Sequence, residues 1–167
     1  MDEADAIEVL KRWESTGKLE GGEIEYYTGG GGPPPYRRSD QLRLVTVAGR
    51  DVIEFNVPVY DQRYNPYPTE TYTMPAEPAD VQALARLVRE AGVFSSRFPE
   101  EEDPGLVHVI RTEVMVREGT REITRVYYKT IPASLSALQD AVGKMIERVK
   151  AQGERGVYHE GRRIDVE

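Results

Sequence analysis

The chain has 167 residues, 39% of them hydrophobic and 31% charged, which suits one domain with one core. Its 29 acidic and 22 basic residues leave a net charge of -7, which argues against a general nucleic-acid binder. With no cysteine, the chain has no disulfide, no thiolate metal site and no thiol nucleophile.

The opening stretch, MDEADAIEVLKRWESTG, puts Ala6, Ile7, Leu10 and Trp13 on one helical stripe, with acids leading and Gly17 as a stop. It lacks the apolar run of a signal peptide, and no apolar stretch reaches membrane-spanning length. The expectation is a cytoplasmic protein with no membrane partner. Strand-like alternation comes next at Ile24 and Tyr26, then at Leu42 and Leu44, and again towards Val57, with a turn at Ala48 to Asp51 making a hairpin. DQRYNPYP reads as a loop and TETYTM as a short strand. Val81, Leu84, Leu87, Val88 and Ala91 then recur at helical spacing, with Asp80 as a candidate N-cap and Gly92 as the C′ glycine. Two long strands joined near Glu118 to Arg121 come after this helix. Their alternation changes phase, which predicts a bulge at Arg111 to Glu113. A last helix carries Leu135, Leu138, Val142, Met145, Ile146 and Val149, with Ser134 as its cap and Gly153 as its stop.

TMPA, at Thr73 to Ala76, precedes the first of these two helices, and TIPA, at Thr130 to Ala133, precedes the second. Asp80, Val81, Leu84 and Val88 then align with Ser134, Leu135, Leu138 and Val142, a faint sign of two strand–strand–helix units. The predicted fold class is α+β: an antiparallel sheet of five or six strands with two helices on one face, plus a short N-terminal helix. Residues 1–17 read as an N-terminal extension, 18–153 as a single domain and 154–167 as a C-terminal tail. The apolar sets of the two extensions predict docking, onto the domain or onto a second copy of the chain.

The most unusual stretch is TGGGGPPPYRRSD. Gly29, Gly30, Gly31 and Gly32 allow a sharp turn or a close backbone approach, and Pro33, Pro34 and Pro35 fix a stiff extended exit. A phosphate cradle would need consecutive backbone donors that the prolines lack. Pro33 to Tyr36 also fits a Pro-Pro-x-Tyr ligand for a proline-recognition domain. The loop is therefore read as a device of geometry that positions the segment YRRSD.

The order of elements, with EYYTGGGGP at the first strand's end and LARLVREAGVFSSRFP closing a helix, resembles the emfourin-like proteins. These are small bacterial inhibitors of thermolysin-like metalloproteases. Thr28 stands where that family's pattern has Ser, and Val93 where it has its first Phe. The resemblance spans about Gly22 to Lys150 in element order and implies an α+β fold and an inhibitory partner. It assigns no inhibitory residue.

No catalytic constellation emerges. His108 and His159 are too few for a metal site, the acid run Pro99 to Pro104 reads as a solvated loop, and Glu23, Glu25 and Glu54 read as a strand's wet face. No metal and no cofactor is expected. Tyrosine is the anomaly: seven of the ten fall between Tyr26 and Tyr72. Tyr26 and Tyr72 suit half-buried strand positions. Tyr36, Arg37, Arg38, Arg63, Tyr64 and Tyr67 form a Tyr/Arg loop set of the composition found at protein-binding surfaces. The expected function is a non-enzymatic protein-binding module, and the resemblance adds inhibition of a thermolysin-like metalloprotease to that expectation. One alternative is a small-ligand binder or enzyme, with a pocket walled by Tyr36, Arg38, Tyr64 and Tyr67 between the Gly/Pro loop and the Tyr-rich loop. Another is an assembly subunit that forms homo-oligomers through its terminal extensions.

Overall fold

Period-two alternation along the strands sets up one sheet with two unlike faces. The computed structural model describes residues 1–30, 38–95, 105, 109–128 and 132–165, of which Arg38 is described by its backbone alone. Their elements are α1 (Glu3–Thr16), β1 (Gly22–Gly30), β2 (Arg38–Val47), β3 (Arg50–Pro58), β4 (Thr69–Pro75), α2 (Pro78–Ala91), β5 (Ile110–Glu118), β6 (Arg121–Tyr127), a 3-10 turn (Ala133–Leu135), α3 (Ser136–Gln152), β7 (Glu154–His159) and β8 (Arg162–Arg163). All strand pairings are antiparallel, in the order β6-β5-β1-β2-β3-β4-β7-β8. No helix among the described residues is long and apolar enough to cross a membrane.

One face of the sheet is apolar. Ile24, Leu44, Ile53, Val116 and Ile123 lie in one cross-strand row, and Leu42, Phe55 and Val114 in the next. The three helices cover this face and share one buried core with it, through Leu10 and Trp13 of α1, Val81, Leu84 and Val88 of α2, and Leu138, Val142 and Val149 of α3. The helix ends obey local chemistry. Asp2 accepts from the Asp5 N–H at 2.8 Å while Asp5 accepts from the Asp2 N–H at 3.1 Å, a reciprocal cap on α1. Gly17 and Gly92 end α1 and α2 in the left-handed region.

Several expectations are corrected. The class is α+β, but the sheet has eight strands and not five or six, and three helices share its covered face. The surplus strands are β7 and β8, in residues 154–163: β4 would otherwise end the sheet with unpaired backbone groups, and β7 pairs with them from Thr69↔Tyr158 to Thr73↔Glu154. No bulge interrupts β5, whose register against β1 is continuous from Gly22↔Glu118 to Gly30↔Ile110. The phase change arises because the strand starts at Ile110, after Val109; Val107 lies outside the described residues. Glu77 and not Asp80 is the N-cap of α2; Pro78 takes the first helical position, and Asp80 accepts from the Glu77 N–H at 2.8 Å. Ser134 lies in the 3-10 turn ahead of α3, and its hydroxyl donates to the Ala91 carbonyl at 2.7 Å. Each helix expected after a hairpin is present, α2 after β3–β4 and α3 after β5–β6. Thr130 and Ile131 of the second repeat segment lie outside the described residues.

Candidate functional site

The two ends of the sheet differ. At one end β2–β3 and β5–β6 are joined by two-residue turns, Ala48-Gly49 and Gly119-Thr120. Ala48 and Gly49 have φ of 51° and 77°, the mirror-image turn whose twist suits a tight hairpin. At the opposite end β1 passes to β2 through residues 31–37, β3 to β4 through residues 59–68, and β7 to β8 through Glu160-Gly161. The start of β5, the end of β6, the end of α2 and the start of α3 lie at that same end. Antiparallel connectivity thus gathers the long connections at one end, together with the two-residue β7–β8 turn, and leaves only tight hairpins between the strands at the other.

The Tyr-rich loop is closed at its base by the Val59 N–H donating to the Pro68 carbonyl at 2.8 Å. Within it Tyr60 and Tyr67 pack edge to face with centroids 5.2 Å apart, and Tyr67 is exposed. Tyr64 leans on His159 of β7, centroids 4.9 Å apart. Arg63 pairs with Asp61 two residues away, Nη2 to Oδ2 at 2.6 Å, with its side chain 71% exposed, and this bond holds the Asp61 carboxyl below its ordinary range. Gln62, Tyr64, Asn65, Pro66 and Tyr67 enclose a 370 Å³ depression made by this loop alone.

Of the other sequence-predicted positions, Tyr36, Arg37, Gly31, Gly32, Pro33, Pro34 and Pro35 lie outside the described residues, as does His108. Arg38 opens β2 opposite Gly30. Gly29 and Gly30 are the last residues of β1 and not part of a free loop. Gly30 has φ of 95°, which favours glycine, and a Cβ there would collide with the Val109 carbonyl. No group of three or more His, Cys, Asp or Glu side chains among the described residues could hold a metal.

The open face, opposite the helices, carries an ordered set of polar rows that the alternation alone did not single out. The lower rows are charged. Arg43 reaches Glu23 at 2.9 Å and Glu54 at 2.6 Å, and Arg117 reaches Glu23 at 3.2 Å. Glu23 is only 3% exposed, so it is a buried member of an ion-pair network and not a wet-face residue. Burial pushes its carboxyl up, but the hydrogen bonds and charge of Arg43, with the Arg117 hydrogen bond, outweigh this and hold it below the ordinary range. Glu25, on the same face, is pushed up by burial and by its neighbour Glu23, against the Gln41 hydrogen bond. One row higher the face is neutral. Tyr27, Gln41, Asn56, Thr71 and Gly156 align across five strands. Thr71 donates to Asn56 at 2.7 Å, Asn56 to Gln41 at 2.9 Å, and Gln41 to Glu25 at 2.9 Å. A shallow 210 Å³ depression opens above this row, lined by Tyr27, Ser39, Gln41, Asn56, Val57, Pro58 and Thr69. It lies between the feet of the two connections singled out from the sequence. Its signal in the sequence was the polar phase of each strand, read across strands rather than along them.

No family model and no curated protein matches the chain.

Proposed function

We propose that the chain is a non-catalytic protein-binding module that holds its partner at the end of the sheet where the long connections gather. The observation that supports this most is the sorting of connections: a paired sheet and three packed helices form the base, and the Tyr-rich loop leaves from the same end as the Gly/Pro segment. A rigid scaffold presenting several loops at one end suits recognition, because the framework bears the cost of ordering while the loops vary. Tyr67 is exposed there, and the aromatic packing of Tyr60 on Tyr67 and of Tyr64 on His159 stiffens the loop before any partner arrives. The apolar residues Leu10, Trp13 and Val157 of the two chain ends are buried in the chain's own fold, so they favour a docked role over self-association.

The partner proposed is a thermolysin-like metalloprotease, on the emfourin-like order of elements, and the setting proposed is the cytoplasm of a bacterium. The test is a titration of such a protease with the purified chain. Loss of protease activity, relieved by Tyr67→Ala together with Tyr36→Ala, supports the reading. Full activity at a large molar excess of the chain removes the protease as partner.

A further inference from the structure

We infer a second binding site, on the open face of the sheet, for an uncharged linear oligosaccharide laid across strands β1 to β4 and β7. Two tyrosine rings mark its ends. The Tyr27 ring lies over Gly29, where a Cβ would collide with it, and the Tyr158 ring lies over Gly156, where a Cβ would stand 2.8 Å from the ring. A ring that crosses a glycine two residues away is laid along the sheet instead of standing off it, so it presents a broad apolar surface. Tyr158 is 37% exposed. At the β1 end the Arg111 guanidinium lies over the Tyr27 ring, 5.4 Å from its centroid and 3.6 Å from Glu113, so that end of the site is the stacked Tyr27–Arg111 pair, and Tyr158 supplies the open ring face. β1 and β7 are four strand spacings apart, about 19 Å, which leaves room for several sugar rings in line.

The floor between the rings decides the chemistry. It consists of the Gln41 and Asn56 amides and the Thr71 hydroxyl, linked in one ladder. Each amide uses one N–H within the ladder and has a second to offer. The residues aligned with Gln41 from β1 to β7 include no charged side chain; in the row below, Glu25 accepts from Gln41, Arg43 pairs with Glu54 and with Glu23, and Glu154 ends the row on β7. Along this floor a charged ligand would find no counter-charge; Arg111 and Arg163 stand only at its two ends, beside Tyr27 and Tyr158. An extended peptide gains its affinity from main-chain hydrogen bonds at a sheet edge. On this face those backbone groups are already paired with neighbouring strands, so recognition must run through side-chain amides, hydroxyls and ring faces. Sugar hydroxyls and the C–H faces of pyranose rings meet that set. The proposal does not depend on the partner at the loop end.

The experiment is a printed glycan array probed with the full chain, then NMR titration with the tightest-binding neutral linear oligosaccharide. The expected result is binding to neutral linear glycans, with shifts at the amides of Tyr27, Gln41, Asn56 and Tyr158. Tyr158→Ala should weaken it roughly tenfold or more at an unchanged thermal midpoint, and Tyr27→Leu is the second variant. If either variant unfolds, the wild-type shift map decides. No array binding, binding confined to charged glycans, shifts confined to the helical side, or undiminished binding in both folded variants overturns the proposal. So does a peptide library that occupies the same residues when no glycan does.

Discussion

Replacing Trp13 should destabilise the whole domain, because α1 is part of its core. Trp13 is 1% exposed, its Nε1–H donates to the Leu19 carbonyl at 3.1 Å, and its ring lies where a Cβ on Gly22 would be. A buried indole removes about 200 Å² from water, worth about 5 kcal/mol at ~25 cal/mol per Å². Truncations of this kind cost about 3–5 kcal/mol in measured cores. Trp13→Ala should therefore lower stability by about 4 kcal/mol and the thermal midpoint by about 10 °C at this chain length. Trp13→Phe keeps much of the ring but removes one of the two hydrogen bonds that the Leu19 carbonyl accepts, leaving the one from the Gly22 N–H, at about 0.5–1.5 kcal/mol. Gly22→Ala should be comparably harmful, since the new methyl meets the ring and the Arg117 carbonyl. Urea unfolding monitored by far-UV circular dichroism measures all three without relying on the chain's single tryptophan. A Trp13→Ala chain within about 0.5 kcal/mol of wild type would refute the placement of α1 in the core.

Ending the chain at Gly153 should expose the β4 edge that β7 covers, seen as aggregation in light scattering and a lower thermal midpoint. Arg43→Met should cost about 2 kcal/mol or more in urea unfolding, because Glu23 stays buried with Arg117 as its remaining cation. Glu14, Glu23 and Glu70 all have carboxyls held below the ordinary range, so the stability they contribute is present above their unfolded value and should fall as pH drops through their folded values. Glu25 has the opposite sign: it contributes stability below its unfolded value that is lost as pH rises through its raised folded value. Glu25→Gln should thus gain on wild type at pH 7 relative to pH 3.5, read as the difference in thermal midpoints.

What was legible in the sequence was local. The periods of α2 and α3, the turn at Ala48-Gly49 and the left-handed stops at Gly17 and Gly92 all come from nearest-neighbour chemistry, and six of the strands were visible in their alternation. β7 was hidden because ERGVYH has one buried apolar residue beyond its glycine; its reason to be a strand is the unpaired edge of β4, more than eighty residues earlier. The start of β5 was misplaced because Val109 continues the composition of a strand without being part of it; Val107 lies outside the described residues. The glycines at 29 and 30 look like a flexible loop in sequence, yet Gly29 is the bed of the Tyr27 ring and Gly30 fits under the Val109 carbonyl. The polar row on the open face was missed for the same reason. Tyr27, Gln41, Asn56 and Thr71 are ordinary in their own strands and become one row only in the cross-strand register. The pairing of Arg63 with Asp61 two residues away was likewise not read from the sequence.

The most direct measurement on the proposed function is the residual activity of a thermolysin-like protease titrated with the wild-type chain and with a chain carrying Tyr36→Ala and Tyr67→Ala. A protein that binds through the loop end should reduce activity stoichiometrically as wild type and much less as the double variant, whose thermal midpoint stays the same. Full protease activity at a large excess of wild type, or equal inhibition by both chains, would contradict it.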